Sequence, residues 1–223
     1  MKKSFLWIVA VLLLVIIVLG GNLIIFEMNG LKVSQGSPIA KYASDHSALL
    51  VIDIQEYTTG ELAENESYKK SSDSLIRKLN RIIDSAFVRN IAVIYVRSEV
   101  SNVLVNLINN SLAKGSKGVA LDKRLNVVPD FIITKQQEDA FSNPRLDSIL
   151  ISQKVNRLYV TGLDASHCVK STMQAAQNRG YNVMAINDAI LAVSDSLKTK
   201  MLGDYKASKI NVINSADFFN SSK

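Results

Sequence analysis

Residues 158–187 read LYVTGLDASHCVKSTMQAAQNRGYNVMAIN. The stretch opens with a short apolar run that is typical of a buried parallel strand, and after a turn it continues as a helix that ends at Gly180. A second apolar run follows at residues 181–187. Strand, helix and strand in this order predict an α/β fold. The only cysteine of the chain, Cys168, stands where this helix is predicted to begin.

The same alternation of apolar runs and amphipathic segments continues through most of the chain. We predict a three-layer, doubly wound α/β fold with a mainly parallel six-stranded sheet and helices on both faces. Residues 99–128 are irregular and are expected to overhang a site. The strands are predicted at 48–53, 91–97, 131–134, 158–162, 181–187 and 210–213, and the helices at 68–89, 145–154, 168–179 and 194–205.

The composition is that of a globular protein with an added apolar segment. The chain has 223 residues, of which 48% are hydrophobic and 21% charged, so one domain with a large core is expected. The net charge of +6 is scattered along the chain. Because nucleic-acid binding requires a basic stripe with interleaved aromatic residues, no nucleic-acid partner is expected. A mildly basic surface facing an anionic membrane is the simpler interpretation.

The first 26 residues are apolar enough to cross a membrane. Residues 5–19 form an uninterrupted apolar run, and residues 5–26 reach the length that a spanning helix needs. Lys2 and Lys3 are expected to stay cytoplasmic, which places the rest of the chain outside the cytoplasm in a single-pass topology. A cleaved signal peptide is the alternative. We predict an anchor at residues 1–26, a polar stalk at 27–46 and one folded domain at 47–223.

Three chemically reactive side chains follow three predicted strands. Asp53, Lys135 and Cys168 each stand at or just past the carboxyl end of a strand, and these ends meet at one edge of a parallel sheet. A helix N-terminus and a lysine both favour a cysteine thiolate, and an aspartate can take the thiol proton. Taken singly, Asp53 could cap a turn, Lys135 could lie on the surface and Cys168 could be inert. Together they predict a nucleophilic site.

Three sequence blocks carry a family resemblance. They are ALLVIDIQ at 48–55, TKQQEDAFSNPRLDSIL at 134–150 and VTGLDASHCVKSTMQAAQNRGYNVMAINDAI at 160–190. In this order they resemble the isochorismatase-like cysteine hydrolases, the group that contains nicotinamidases and related amidases. The resemblance implies a catalytic triad of Asp53, Lys135 and Cys168 that hydrolyses an amide through a thioester.

The resemblance also implies how the developing oxyanion would be held. The family's cis peptide and oxyanion hole would fall near Asp164 and Ala165, with the N–H groups of Ala165 and Cys168 as donors. Further residues are candidates for the substrate pocket, although core or surface positions are equally open for several of them. These candidates are Gln55, Tyr57, Phe141 and His167.

The sequence departs from the metal-binding members of the family. Nicotinamidases bind a metal through an aspartate and histidines that follow the first block, but no histidine lies between Gln55 and Lys135 here. We therefore expect no metal and no cofactor, and nicotinamide is not the expected substrate. Asp188 is interpreted as a structural residue at a strand end, and Asp139 as a solvated charge.

These patterns together predict a membrane-anchored, metal-independent cysteine hydrolase that cleaves the C–N bond of a small amide. Because Cys168 is present, C–N cleavage is favoured over the vinyl-ether cleavage of isochorismatases that lack this cysteine. Relatives in this family commonly form dimers or larger assemblies, so the resemblance implies a homo-oligomer. Two other functions stay open, which are a binding module that keeps an unused triad and a thiol redox protein that works with a partner thiol.

Overall fold

The computed structural model describes residues 2–128 and 131–220, with the backbone alone for residues 2–4. Residue 1, the first of the predicted anchor, and residues 221–223, the last of the predicted domain, lie outside the described residues. The strands are β1 (Ser47–Ile52), β2 (Ala92–Ser98), β3 (Phe131–Lys135), β4 (Arg157–Gly162), β5 (Asn182–Ile190) and β6 (Asn211–Ile213). The helices are α1 (Lys2–Gly30), α2 (Glu66–Val88), α3 (Val103–Ile108), α4 (Pro144–Ser152), α5 (Cys168–Asn178), α6 (Asp195–Ala207) and α7 (Ser215–Asn220).

The six strands form one parallel sheet in the order β3-β2-β1-β4-β5-β6. The chain builds outward from β1 in one direction and then restarts with β4 on the other side of β1. Ligands of such sheets bind at this switch point, beyond the carboxyl ends of the strands. The predicted doubly wound fold and all six predicted strands are confirmed.

Both faces of the sheet are covered, which explains the continuous apolar runs in its central strands. Successive residues of β1 point to opposite faces, so that Leu50 and Ile52 join one core while Leu49 and Val51 join the other. The first core lies under α4, α5 and α6, and the second lies under α2 and α7. The sheet is therefore the middle layer of three, and its edges alone are left for a site.

The segment predicted as a polar stalk is partly helical and partly packed against the domain. Residues 27–30 continue α1, which ends at Gly30 rather than at residue 26. Residues 31–46 lie along the domain, where Val33 and Ile39 pack against the first core. The Ser34 N–H and hydroxyl donate to the buried carboxylate of Asp139, and the N–H of Ile39 donates to the carbonyl of Arg179. The segment is held because its apolar side chains and Ser34 have partners on the domain.

The irregular segment between β2 and β3 contains α3 and a 3-10 helix at Lys117–Val119. Gln55 forms an isolated bridge with Leu121, and Val100 forms one with Ala113. The first bridge ties the segment to the chain that follows β1, and the second joins two parts of the segment itself. The short helix α7 was not predicted, because six residues are too few to establish a helical period.

We predict that Gly162 at the end of β4 tolerates no side chain. A Cβ at this position would lie 2.0 Å from the carbonyl oxygen of Ile52, and the residue has φ = +112°. Gly162→Ala should lower the free energy of unfolding by at least about 2 kcal/mol, measured by urea denaturation of the full chain in detergent. The matched control is Gly203→Ala in α6, where a Cβ meets no atom within 4 Å and where alanine favours the helix. Equal effects of the two substitutions would contradict this interpretation.

Candidate active site

The three predicted catalytic residues lie together at the switch point of the sheet. Asp53 directly follows β1 and has φ = 56°, a left-handed conformation that ends the strand and that aspartate tolerates better than most residues. Lys135 is the last residue of β3, and Cys168 is the first residue of α5, after the turn that follows β4. Three elements far apart along the chain thus deliver one side chain each.

The Lys135 ammonium is the centre of the cluster. Its Nζ lies 3.0 Å from Oδ2 of Asp53 and 3.1 Å from Sγ of Cys168. It also donates to the hydroxyl of Ser98 at 2.6 Å, and that hydroxyl in turn donates to Oδ1 of Asp53 at 2.9 Å. Lys135 is 1% exposed and Asp53 is 5% exposed, so the ion pair is formed away from water. The three side chains thus lie in contact around one ammonium, as the sequence predicted.

Electrostatics keep Lys135 charged despite its burial. Burial by itself lowers the pKa of the Lys135 ammonium, but the charges of Asp53 and Cys168 raise it, and the net direction is upward. The residue is therefore an ammonium at neutral pH. The ammonium holds its hydrogen bonds to Asp53, Ser98 and Cys168, and the upward shift of its pKa makes it a weaker proton donor than a lysine in water.

The sequence predicted surroundings that favour the Cys168 thiolate, but in the structure the pKa of this thiol is raised. Burial and the adjacent Asp53 carboxylate raise the pKa of the Cys168 thiol to about 12, while Lys135 lowers it only in part. Desolvation is the largest of these causes, because burial disfavours the charged thiolate. A pKa this high keeps the Cys168 thiol protonated at neutral pH, and an attack by its sulfur on a substrate would need a base. Asp53 is the carboxylate within reach of that proton.

Ser98 was missed by the sequence analysis, although it also ends a strand. It is the last residue of β2, beside β1, and its hydroxyl joins Lys135 to Asp53. The rule that selected Asp53 and Lys135 would have selected Ser98 too. Gln55, predicted as a pocket candidate, is instead fully buried: its amide receives the N–H of Ser98 and donates to the carbonyls of Ser98 and Val119. Gln55 therefore positions Ser98.

In the turn before Cys168, the cis peptide and the candidate oxyanion donor lie one residue earlier than predicted. The cis peptide bond joins Leu163 to Asp164, and the N–H of Ala165 donates to the carbonyl of Leu191 at 2.8 Å. Ala165 is therefore not available as a donor. Within the described residues, the N–H groups of Asp164 and Cys168 have no hydrogen-bond acceptor. These two donors beside the sulfur are the candidates for holding an oxyanion.

Side chains from two helices, α2 and α6, fix this turn. The carboxylate of Asp164 accepts from the N–H of Ser166 at 2.7 Å and from the hydroxyl of Tyr68 at 2.8 Å. The hydroxyl of Tyr205 in α6 donates to the carbonyl of Ala165. Burial and the Asp164 carboxylate raise the pKa of Tyr68, so its hydroxyl stays protonated and continues to donate. Both tyrosines were missed by the sequence analysis, because each binds a residue that is distant along the chain. Tyr68 is 96 residues from Asp164, and Tyr205 is 40 residues from Ala165.

The other predicted pocket residues occupy three different positions. The ring of Phe141 is buried in the core against Tyr181 and Arg179, where it supports α5 rather than facing a pocket. His167 lies at the exposed tip of the turn and its Nδ1 contacts Glu138 at 2.8 Å. Tyr57 accepts a hydrogen bond from Asn109 at 2.8 Å, which joins it to the loop that follows α3.

Two aspartates outside the triad have structural partners. Asp188 lies within β5, pairs with Lys78 at 2.7 Å and accepts from Ser215, which agrees with its predicted structural role. The prediction that Asp139 is a solvated charge is wrong. Asp139 is fully buried, caps a 3-10 helix through the N–H of Phe141, and receives the N–H and hydroxyl of Ser34.

In the part of the chain that the structure describes, no three His, Cys, Asp or Glu side chains cluster in a way that could hold a metal ion. A surface cavity lies beside the carboxyl end of β3, and of the three clustered residues Lys135 lines it. It is lined by Thr134, Lys135, Gln136, Gln137, Ser142, Asn143 and Pro144.

Comparison with known protein families places this site in context. The family model of the isochorismatase domain matches residues 47–217, which include every strand and all three residues of the cluster. The chain belongs to the isochorismatase family. The matched region begins at β1, so the family's domain excludes α1 and the segment that follows it.

Similar proteins in the family include active and inactive members. A probable inactive nicotinamidase of Arabidopsis thaliana is 30% identical over 72% of this chain and 88% of its own length. The ureidoacrylate amidohydrolase of Variovorax paradoxus is 26% identical over 82% of this chain and 79% of its own. The crystal structure of a cysteine hydrolase from Pseudomonas syringae has a TM-score of 0.69 at 22% identity, covering 82% of this chain and 96% of that one. The chain is thus an isochorismatase-like hydrolase by family and fold.

We predict that neutralising Asp53 makes Cys168 more reactive toward alkylation. A pKa of about 12 leaves little thiolate at pH 8, and Asp53 is one of its causes, so Asp53→Asn should lower the pKa and increase the thiolate fraction. The rate of iodoacetamide alkylation at pH 8 should rise about tenfold or more, because each tenfold change in thiolate corresponds to one pH unit. Since Cys168 is the only cysteine, intact-mass spectrometry follows the reaction directly.

The matched control is Asp195→Asn, which neutralises an exposed carboxylate in the first turn of α6 and should leave the rate unchanged. Lys135→Met removes the one charge that lowers the thiol pKa, so it should slow alkylation. An Asp53→Asn rate equal to or below that of the unaltered chain would contradict the assigned electrostatics.

Proposed function

We propose that this protein is a membrane-anchored, metal-independent cysteine hydrolase that cleaves the amide-type C–N bond of a small molecule through a thioester. The observation that carries the proposal is the position of Lys135, whose ammonium contacts the Cys168 sulfur at 3.1 Å and the Asp53 carboxylate at 3.0 Å. A nucleophile, a base and a fixed cation at one sheet edge are the parts that acyl transfer requires. Metal independence rests on the absence of histidine between residues 55 and 135.

In the first half of the reaction, Asp53 takes the thiol proton as the Cys168 sulfur attacks the substrate carbonyl carbon. The carbonyl oxygen becomes an oxyanion and accepts hydrogen bonds from the N–H groups of Asp164 and Cys168. When the tetrahedral intermediate collapses, the C–N bond breaks and Asp53 returns the proton to the leaving nitrogen. Ammonia or an amine departs, and the acyl group stays on the sulfur as a thioester.

In the second half, water replaces the amine. Asp53 takes a proton from the water as its oxygen attacks the thioester carbon, and the same two N–H groups hold the oxyanion. The C–S bond then breaks, the thiol recovers its proton, and a carboxylic or carbamic acid leaves. Throughout, Lys135 remains an ammonium that holds Asp53 and balances its charge.

Membrane anchoring is proposed for α1. Residues Phe5–Gly30 form a helix that contains an 18-residue stretch with a mean hydropathy of 3.1, long and apolar enough to cross a bilayer, although a signal sequence has the same properties. An uncleaved anchor is favoured because α1 is bound to the domain. The carbonyl of Gly30 accepts the N–H of Glu138 at 3.0 Å, and Asn22 accepts a hydrogen bond from Asn102 at 2.8 Å. By the positive-inside rule the domain then lies outside the cytoplasm.

A binding module with an unused triad is the second candidate, because one relative is named as inactive. On that function the Cys168 side chain would contribute to ligand affinity but not to turnover. The two functions therefore differ in a single observable, which is whether an acyl group ever becomes attached to the sulfur.

We predict that the full chain in detergent hydrolyses a member of a panel of small amides, ureides and N-carbamoyl compounds, and that Cys168→Ala removes this activity entirely. Turnover is lost because no other side chain of the site can form the thioester. Ammonia release measures the rate, and intact-mass spectrometry of acid-quenched mixtures measures the acyl adduct on the unaltered chain.

The control is Ser171→Ala, one turn along α5, where the hydroxyl contacts Glu138 and not the triad. It should keep turnover within about threefold, because the substitution removes no group that contacts the triad. Turnover by Cys168→Ala at the unaltered rate would overturn the thioester mechanism. Binding of a compound with neither turnover nor adduct would favour the binding module.

A further inference from the structure

We infer that α3 is a second membrane contact, inserted into the bilayer interface beside α1, so that the catalytic edge of the sheet faces the lipid. This inference rests on the membrane anchoring in the proposed function and goes beyond it, because it assigns a lipid-binding surface to the hydrolase domain itself. The surface is defined here as the α3 patch, which consists of Val103, Leu107 and Ile108.

The α3 patch is the first reason. Val103, Leu107 and Ile108 are 71%, 78% and 81% exposed, although all three are large and apolar. Val103 and Leu107 stand four residues apart and so share one face of the helix. Three such residues on one short helix form a contiguous apolar surface of the kind that marks an interaction site.

The charge pattern around α3 is the second reason. Residues 100–113 (VSNVLVNLINNSLA) contain no Asp, Glu, Lys or Arg, in a chain where 21% of residues are charged. A charge inside the bilayer interface is costly, so a charge-free segment suits insertion. Two exposed lysines, Lys114 and Lys117, follow directly and are placed to contact anionic headgroups. A protein partner would not require this separation of apolar and basic residues.

The contact with α1 is the third reason, because it fixes the depth of the patch. Asn102, the N-cap of α3, donates to the side chain of Asn22 in α1. Residues 2–22 of α1 measure roughly 30 Å at 1.5 Å per residue, which is the thickness of the hydrocarbon core. If the anchor enters the bilayer at its first residues, Asn22 and therefore α3 lie at the opposite interface. The exposed patch is then at lipid depth without any movement of the domain.

The same contacts orient the catalytic edge. The last turn of α1 binds Glu138, three residues past Lys135, while Asn22 binds Asn102, four residues past the end of β2. Ser101 also donates to Gln136 at 2.9 Å, which joins the two loops to each other. Both points of attachment are loops that leave the carboxyl ends of strands. The edge that holds Cys168 is consequently the edge nearest to the membrane.

Site-specific fluorescence quenching in proteoliposomes tests this orientation. The single native cysteine is replaced (Cys168→Ser), and one new cysteine is introduced at a time for a bimane label: Leu107→Cys for the α3 patch, Leu12→Cys for the anchor, and Val88→Cys as the matched control. Val88 is 77% exposed and apolar like Leu107, but it lies at the end of α2 nearest the amino ends of the strands. The vesicles contain phosphatidylcholine and phosphatidylglycerol, with or without brominated phosphatidylcholine.

We expect brominated lipid to reduce the fluorescence at positions 12 and 107 by about twofold or more and to leave position 88 unchanged. Far-UV circular dichroism checks that each variant is folded, and Ile108→Cys replaces Leu107→Cys if that variant is not. Quenching at 12 but not at 107 or 108 would overturn the inference and leave the anchoring intact. Absence of quenching at 12 would overturn the anchoring and this inference with it, while the catalytic proposal would stand.

Discussion

The buried ammonium of Lys135 is the constraint around which the rest of the molecule is arranged. Removing a charge from water costs several kcal/mol, and the charge persists only where other groups replace the lost solvation. Here Asp53, Ser98 and Cys168 surround it, and each is supplied by a different strand or helix. The strand order β3-β2-β1-β4 brings these elements side by side. A change in strand order or register would leave a buried charge unpaired.

The turn between β4 and α5 is the second fixed element, and it is held from both sides of the sheet. Tyr68 of α2 approaches from one face and Tyr205 of α6 from the other, and they bind Asp164 and Ala165. Because Gly162 lies against the backbone of Ile52, the turn starts close to the strand that carries Asp53. The two cores therefore hold the sulfur and the two free N–H groups in a fixed relation to the carboxylate.

The sequence was sufficient for the sheet and for the clustering of Asp53, Lys135 and Cys168, because both follow from local patterns. Continuous apolar runs predict buried parallel strands, and the residues after them predict a site. Orientation could not be predicted in the same way. The positive φ of Asp53 changes the direction of the chain at the end of β1, so the side of the site that Gln55 faces depends on a single backbone angle. The pairing of Ser34 with Asp139 likewise spans 105 residues and has no local signal.

The protonation state of Cys168 was also beyond the sequence, because it depends on how burial, Asp53 and Lys135 offset one another at distances near 3 Å. A protonated resting thiol suits a protein whose site is proposed to lie outside the cytoplasm, since oxidation proceeds through the thiolate. In the proposed mechanism the sulfur becomes reactive only when a substrate is present and Asp53 takes the proton.

A double-mutant cycle on the free energy of unfolding tests the central role of the buried ion pair most directly. Urea denaturation would be measured for the full chain, for Asp53→Asn, for Lys135→Met and for the double variant, in detergent and at neutral pH. Each single substitution leaves one buried charge unpaired and should cost about 3 kcal/mol or more, while the double variant should cost at least about 1 kcal/mol less than the sum. Additive effects, or single substitutions without effect on stability, would contradict the account.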